Sequence, residues 1–257
     1  MRFVGLVKQV FDPAEIKPQN QGPGLNLDGV PKIMNPFDEF VIEECLQWKE
    51  KLGGEVTIMS MGEESACEIL RTALAMGADK VTLVKDVFGG DGDTIERSKV
   101  LAKAIEKNGG ADLIIAGKLA LGGDTAHIGP MVASQLGIPV LTYVSKVIEL
   151  SENKIVVERL LEGGKEIVSS TLPCVITVVK DINKPRYPSL IAIRKASKVD
   201  IPTITREDLG LNPPASSTVK LIKVTPPPPR PAGEILTGST EEVVSKLLDK
   251  LFEQKVF

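Results

Sequence analysis

A chain of 257 residues with 42% hydrophobic and 25% charged residues has the composition of a globular protein that can bury a sizeable core. Its formal net charge of −3 leaves no basic footprint for nucleic acid, and no apolar run approaches the roughly 20 residues of a membrane span, so neither nucleic-acid binding nor direct membrane insertion is expected. The inventory of one histidine and three scattered cysteines, Cys45, Cys67 and Cys174, argues against a metal site and most histidine-dependent catalysis. The cysteines read as small buried hydrophobes in a reducing, cytoplasmic compartment. Chemistry then falls to a bound organic cofactor.

In chain order, "RFVGLVKQV" (2–10) reads as a first strand, because no small-residue cleavage site follows its apolar stretch. "PFDEFVIEECLQWKEKL" (36–52) has apolar residues at helical spacing, with Asn35 as expected N-cap, Pro36 in the first position and Gly53–Gly54 after the last turn. "EVTIMSM" (55–61), "KVTLVKD" (80–86) and "DLIIAG" (112–117) are continuous apolar runs of the kind that parallel strands covered on both faces show. Helical patterns ending at Gly77 and at Gly109–Gly110 separate them. The alternation predicts an α/β fold with a doubly wound, mainly parallel sheet and ligands beyond the carboxyl ends of its strands.

After residue 138 the pattern turns strand-rich, with "SENK" and "EGGK" as hairpin turns, which predicts an antiparallel extension of the same sheet. "KDINKPRYPSLIAIRKASKVD" (180–200), basic and studded with exposed apolar residues, reads as a protruding arm. A Pro-rich extended stretch follows, then "STEEVVSKLLDKLFEQ", an amphipathic helix with Ser239 and Glu242 at capping-box spacing, docked either on a neighbour or on its own domain.

"GKLALGGDTAHIGP" (117–130) has the mechanics of a phosphate site. Gly122 and Gly123 let an anion approach the backbone, Asp124 or Thr125 can cap the next helix, and that helix's first N–H groups face the loop. The helix would begin either at 125 or at Pro130. The pattern matches neither GxGxxG nor the P-loop, so an empty strand-to-helix turn stays open on this loop alone. His127 lacks a serine or cysteine at motif spacing, and a catalytic role for it is rejected. "FGGDGDT" (88–94), "MNPFDEF" (34–40) and "SMG" (60–62) put further loops at the same sheet edge, which favours a nucleotide site.

"VKQV", "MNPFDEFVIEECLQWKEKLGGEVTIMSMG", "RTALAMGAD", "DLIIAGKLALGGDTAHIGPMVASQLGIP" and above all Val157-x-Arg159-x-x-Glu162-Gly163-Gly164-x-Glu166 resemble the β subunits of electron transfer flavoproteins. The resemblance covers about residues 1–200. It implies a Rossmann-like core, a heterodimer with an α subunit, and electron transfer through flavin. Carried over by position, the nucleotide would contact Leu6, Asn35, Pro36, Phe37, Asp38, Met61 and Thr94. It would also contact Gly122, Gly123, Asp124, Thr125, Ala126, His127, Ile128, Gly129, Pro130, Met131, Val132 and Ala133.

Members of the simple kind hold a structural AMP there; electron-bifurcating members hold an FAD that takes hydride from NADH. "GDTAHIGP" is similar to the "GDTAQVGP" of the bifurcating kind, with departures at His127 and Gly122 and an extra residue in "GGDGDT", so FAD is favoured over AMP. "NKPRYPSL" resembles the family's recognition loop, which implies partner contacts through Arg186, Tyr187 and Leu190 with an acyl-CoA dehydrogenase or a membrane quinone oxidoreductase. The expected division is a nucleotide-binding domain over 1–182, the arm over 183–215, and a tail over 216–257 docking on the α subunit. A related ATP-using ligase would need a serine-rich loop after the first strand, and "VKQVFDP" has none.

Overall fold

The computed structural model describes residues 1–18, 25–85, 93–211 and 232–256. The Pro-rich stretch and most of "FGGDGDT" lie outside the described residues. In chain order the strands are β1 (Arg2–Val7), β2 (Gln9–Phe11), β3 (Lys17–Pro18), β4 (Leu25–Asn26) and β5 (Lys32–Met34). Helix α1 (Asp38–Leu52) leads to β6 (Glu55–Met61), α2 (Cys67–Met76) to β7 (Lys80–Lys85), α3 (Thr94–Lys107) to β8 (Leu113–Gly117), and α4 (Ile128–Leu136) to β9 (Val140–Leu150). Then come β10 (Lys154–Leu161), β11 (Gly164–Thr171), β12 (Cys174–Val178), α5 (Leu190–Ala196), β13 (Thr203–Thr205) and α6 (Thr240–Glu253).

One nine-stranded sheet has the order β11-β10-β9-β12-β8-β1-β6-β7-β13. Neighbours from β9 through β13 pair in parallel, while β10 and β11 add antiparallel strands at the other end. The fold is therefore the α/β, mainly parallel sheet with an antiparallel extension that the residue pattern predicts. The chain winds from β1 outward through β6 and β7, then crosses back to β8 on β1's other side. The β1/β8 boundary is thus a topological switch point, where strand ends part and leave a crevice.

Alternation along the buried strands feeds two cores. Phe3, Val7, Leu113, Ile115 and Ile176 pack under α1 and α2, with Val41, Cys45, Ile69 and Leu70. Val4, Leu6, Ile114, Ala116 and Val175 pack under α3 and α4, with Val100, Ile105, Val132 and Ala133. The continuous apolar runs follow directly, since both faces of each central strand are covered.

Several local expectations change. The first strand stops at Val7, because the Lys8 N–H donates to Asp38 Oδ2 at 2.7 Å and its carbonyl accepts from the Asn35 N–H at 2.9 Å, which takes Lys8 out of the ladder. Helix α1 starts at Asp38 rather than Pro36, and the Asn35 side chain does not cap it. Helix α4 starts at Ile128, between the two expected positions, with neither Asp124 nor Thr125 capping it. Positive φ at Asp124 and Ala126 keeps the chain out of helix until His127. Pro130 falls in the first turn, where its missing N–H loses no partner.

Strand β13, too short and proline-flanked to show in the pattern, closes the far sheet edge beside β7. The capping box at Ser239 and Glu242 opens α6 as expected. None of the α6 residues is buried, and Val244, Leu247, Leu248 and Phe252 are exposed on it. No described helix is long and apolar enough to cross a membrane.

Candidate functional site

At the β1/β8 switch point lies a cavity of about 330 Å³. Its walls come from the ends of β1 (Leu6, Val7), β6 (Met59, Met61) and β8 (Ala116, Gly117), from the start of α1 (Asp38), from α3 (Thr94 and Arg97 in its first turn, Leu101 at its middle), and from the loop that carries Gly123 to Gly129. Of the residues expected at a nucleotide, Leu6, Asn35, Asp38, Met61, Thr94, Gly123, Asp124, Thr125, Ala126, His127, Ile128 and Gly129 line it. Pro36, Phe37, Gly122, Pro130 and Met131 lie outside this lining, and Val132 and Ala133, on the inner face of α4, are buried in the core.

The loop's shape is made by its backbone. Gly122, Asp124 and Ala126 have φ of +90°, +45° and +54°, whereas the intervening Gly123 and Thr125 do not take positive φ and His127 has −85°. Where left- and right-handed residues alternate, successive N–H groups can turn toward one concave side and form a nest for an anion. Among the described residues the N–H groups of Thr125 through Gly129 find no acceptor, so the nest and the α4 N-terminus offer their donors together. Left-handed backbone at Asp124 and Ala126 stores strain of about 1 kcal/mol or more each, the kind of outlier that clusters at binding sites.

Close packing fixes this loop against its neighbours. A Cβ at Gly117 would sit 2.4 Å from Asp38 Oδ1 and 2.9 Å from Phe37 Cβ, so only glycine lets α1 abut the end of β8. At Gly129 a Cβ would fall 2.4 Å from Thr177 Cγ2, and glycine there lets α4 settle on β12. Asn35, 1% exposed, is the tie: its Nδ2 donates to Asp38 Oδ1 and to the Leu119 carbonyl, both at 2.9 Å, and its Oδ1 accepts from the Leu121 N–H at 3.2 Å.

Charge in the cavity is mixed but weighted positive, with Lys8, Arg97 and Lys118 against Asp38 and Asp124. Burial, helped by the like charge of Arg97, holds the Lys8 ammonium below its ordinary pKa, with Asp38 opposing. Burial pushes the Asp38 carboxyl up to about 7, against the bonds from Asn35 and the Lys8 N–H. Arg97 Nε is buried and has no hydrogen-bond partner among the described residues. A buried donor left unmade is costly, so an anion or carbonyl acceptor is the chemistry this wall asks for.

These features fit an anionic nucleotide: nest and helix N-terminus for phosphate, cations for its charge, and Leu6, Met59, Met61 and Leu101 as an apolar wall. The residue pattern did not single out Lys8, Arg97 or Lys118. Lys8 and Lys118 flank strand ends, where such a reading could look for cations, but nothing local marks Arg97.

The arm protrudes at its tip and is held at its root. Residues 183–186 lie on α1, and α5 leans on the body through buried Ala196. Tyr187 (98% exposed) and Leu190 (84%) point to solvent. Arg186 instead turns back onto Glu43 and Glu50 of α1.

Against known proteins, the electron transfer flavoprotein domain matches residues 25–209. The chain is 40% identical to an electron transfer flavoprotein subunit beta of Thermoanaerobacterium thermosaccharolyticum, across 100% of both chains. It is 39% identical to the caffeyl-CoA reductase–Etf complex subunit CarD of Acetobacterium woodii, again across 100% of both. Protein FixA of Bradyrhizobium diazoefficiens is 35% identical, with 98% of this chain and 91% of that one covered.

Proposed function

The chain belongs to the electron transfer flavoprotein β-subunit family, and on that premise we propose that it pairs with an α subunit, binds FAD at the β1/β8 cavity and takes part in NADH-dependent electron bifurcation. The observation that carries FAD is the second polar pole of the cavity. Thr94 and Arg97 at the start of α3 add donors on a different wall from the nest, more than one phosphate needs. Bound FAD would supply one- and two-electron redox chemistry, for which the site needs no side-chain nucleophile.

The chain's own residues bind and orient. N–H groups of Thr125 to Gly129 hold phosphate, Lys8 and Arg97 offset its charge, and Asn35 keeps the loop closed on α1. The apolar wall excludes water from the ligand. A structural AMP is the second reading, favoured by the volume: about 330 Å³ lies at the small end of ligand cavities. The arm supports docking of an acyl-CoA dehydrogenase or a membrane quinone oxidoreductase through Tyr187 and Leu190, with α6 docking on the α subunit.

Co-purified heterodimer, denatured and assayed for flavin and adenylate, separates the readings. FAD in the cavity gives two FAD per heterodimer and no AMP; one FAD with one AMP overturns bifurcation, and neither nucleotide overturns the site.

A further inference from the structure

Arg186 is bound to α1 more tightly than a surface arginine needs to be. Its Nε donates to Glu43 Oε2 at 2.8 Å and its Nη2 to Glu43 Oε1 at 3.0 Å, a bidentate fork. The same guanidinium reaches Glu50, Nη1 to Oε1 at 2.6 Å and Nη2 to Oε2 at 3.2 Å, and the Arg186 N–H adds a bond to Glu43 Oε2 at 3.1 Å. The Glu43 side chain is only 4% exposed. Burial works against its charge, but bonds from Arg186 and Gln47 outweigh this and hold its carboxyl below the ordinary glutamate value.

A second rivet lies just before it. Asn183 Nδ2 donates to the Phe40 carbonyl and to Glu44 Oε2, and Glu44 Oε1 accepts from Trp48 Nε1 at 2.7 Å. Between Arg186 and α5 the chain has little support: Tyr187 is fully out, Ser189 caps α5 through the Ala192 N–H, and the body is met again at buried Ala196. A short exposed segment loses freedom when it docks, and fixing its root beforehand reduces that cost.

We propose that Arg186 is a positioning residue, whose fork to Glu43 and Glu50 fixes the root of the arm so that Tyr187 and Leu190 are held ready for a partner that Arg186 itself does not touch. The role rests on the docking reading of the arm given above.

Trypsin tests the anchor without any partner. To be cut, the Arg186–Tyr187 bond must surrender the arginine side chain to the protease, which requires it to leave Glu43 and Glu50. In the heterodimer, the Glu43→Gln/Glu50→Gln variant is expected to be cut after Arg186 about tenfold faster or more, with cleavage after Lys195 unchanged. Arg186→Lys keeps the charge and loses the fork, so cutting after position 186 accelerates there too; should the glutamine variant misfold, this one decides. Native cleavage rates in a folded variant overturn the anchor.

Docking is read with a purified acyl-CoA dehydrogenase as the reductant of the heterodimer. Both anchor variants should raise the KM for the heterodimer several-fold and keep kcat. Leu190→Ala should raise KM while its cleavage after Arg186 stays native. A native KM in the anchor variants beside a raised KM in Leu190→Ala overturns only the positioning role. A native KM in Leu190→Ala overturns the docking reading, and the positioning role with it.

Discussion

The cavity at the β1/β8 crevice and the arm are built from opposite materials. Around the cavity, shape comes from the backbone: positive φ at Gly122, Asp124 and Ala126, and missing Cβ atoms at Gly117 and Gly129. On the arm, shape comes from side chains, with Arg186 and Asn183 fixing a segment that has little secondary structure of its own. A backbone-built site is damaged by adding a methyl group and is indifferent to much side-chain chemistry. A side-chain-built anchor tolerates bulk and fails when one charge is removed, because the partner is left buried and unpaired.

The backbone-built half is most sensitive at Gly117. Gly117→Ala drives a Cβ into Asp38 and Phe37, and a destabilisation of about 3 kcal/mol is expected from urea unfolding. A loss under about 1 kcal/mol would mean that α1 can retreat from β8 and that the cavity floor is soft.

Next is pH. Asp38 has a folded pKa of about 7, above its unfolded 3.8. The folded protein therefore holds a proton that the unfolded chain gives up. Asp38's contribution is most favourable below the unfolded value, declines as pH rises, and is lost once pH passes the folded value. Between pH 5 and 8 this one group should cost the nucleotide-free protein about 3 kcal/mol, and Asp38→Asn should flatten that part of the profile. Parallel profiles for native and variant would place the Asp38 titration elsewhere.

Gly122→Ala adds a methyl into open space but at φ of +90°, so backbone strain alone acts and about 1 kcal/mol is expected. Gly123→Ala, at a position with neither a positive φ nor a neighbour within 4 Å, should change stability by less than about 0.5 kcal/mol. Any deficit it shows should appear in nucleotide affinity, which sharpens the distinction between a loop that holds the fold and a loop that holds a ligand.

The same contrast explains what the sequence reveals. Parallel strands announce themselves as apolar runs, and the cavity loop announces itself by glycines next to a strand, because backbone geometry leaves a local signature. The start of α4 escapes, since it depends on the sign of φ at Asp124 and Ala126, residues that also occur in ordinary helix starts. Lys8 and Arg97 meet only once the sheet folds. The partners of Arg186 lie 136 and 143 residues upstream, in a helix whose glutamates look like a solvated face. What a side chain touches at that distance has no local pattern, so the exposed residues of the arm were legible and its anchor was not.

We propose that the Gly123–Gly129 backbone grips the phosphate of a nucleotide. Amide hydrogen exchange of the nucleotide-free heterodimer, with and without added FAD or AMP, reads those donors directly. The N–H groups of Thr125, Ala126, His127, Ile128 and Gly129 should exchange at least about tenfold more slowly when the nucleotide is bound. Unchanged exchange at these five positions, with protection appearing elsewhere, would place the phosphate away from this loop.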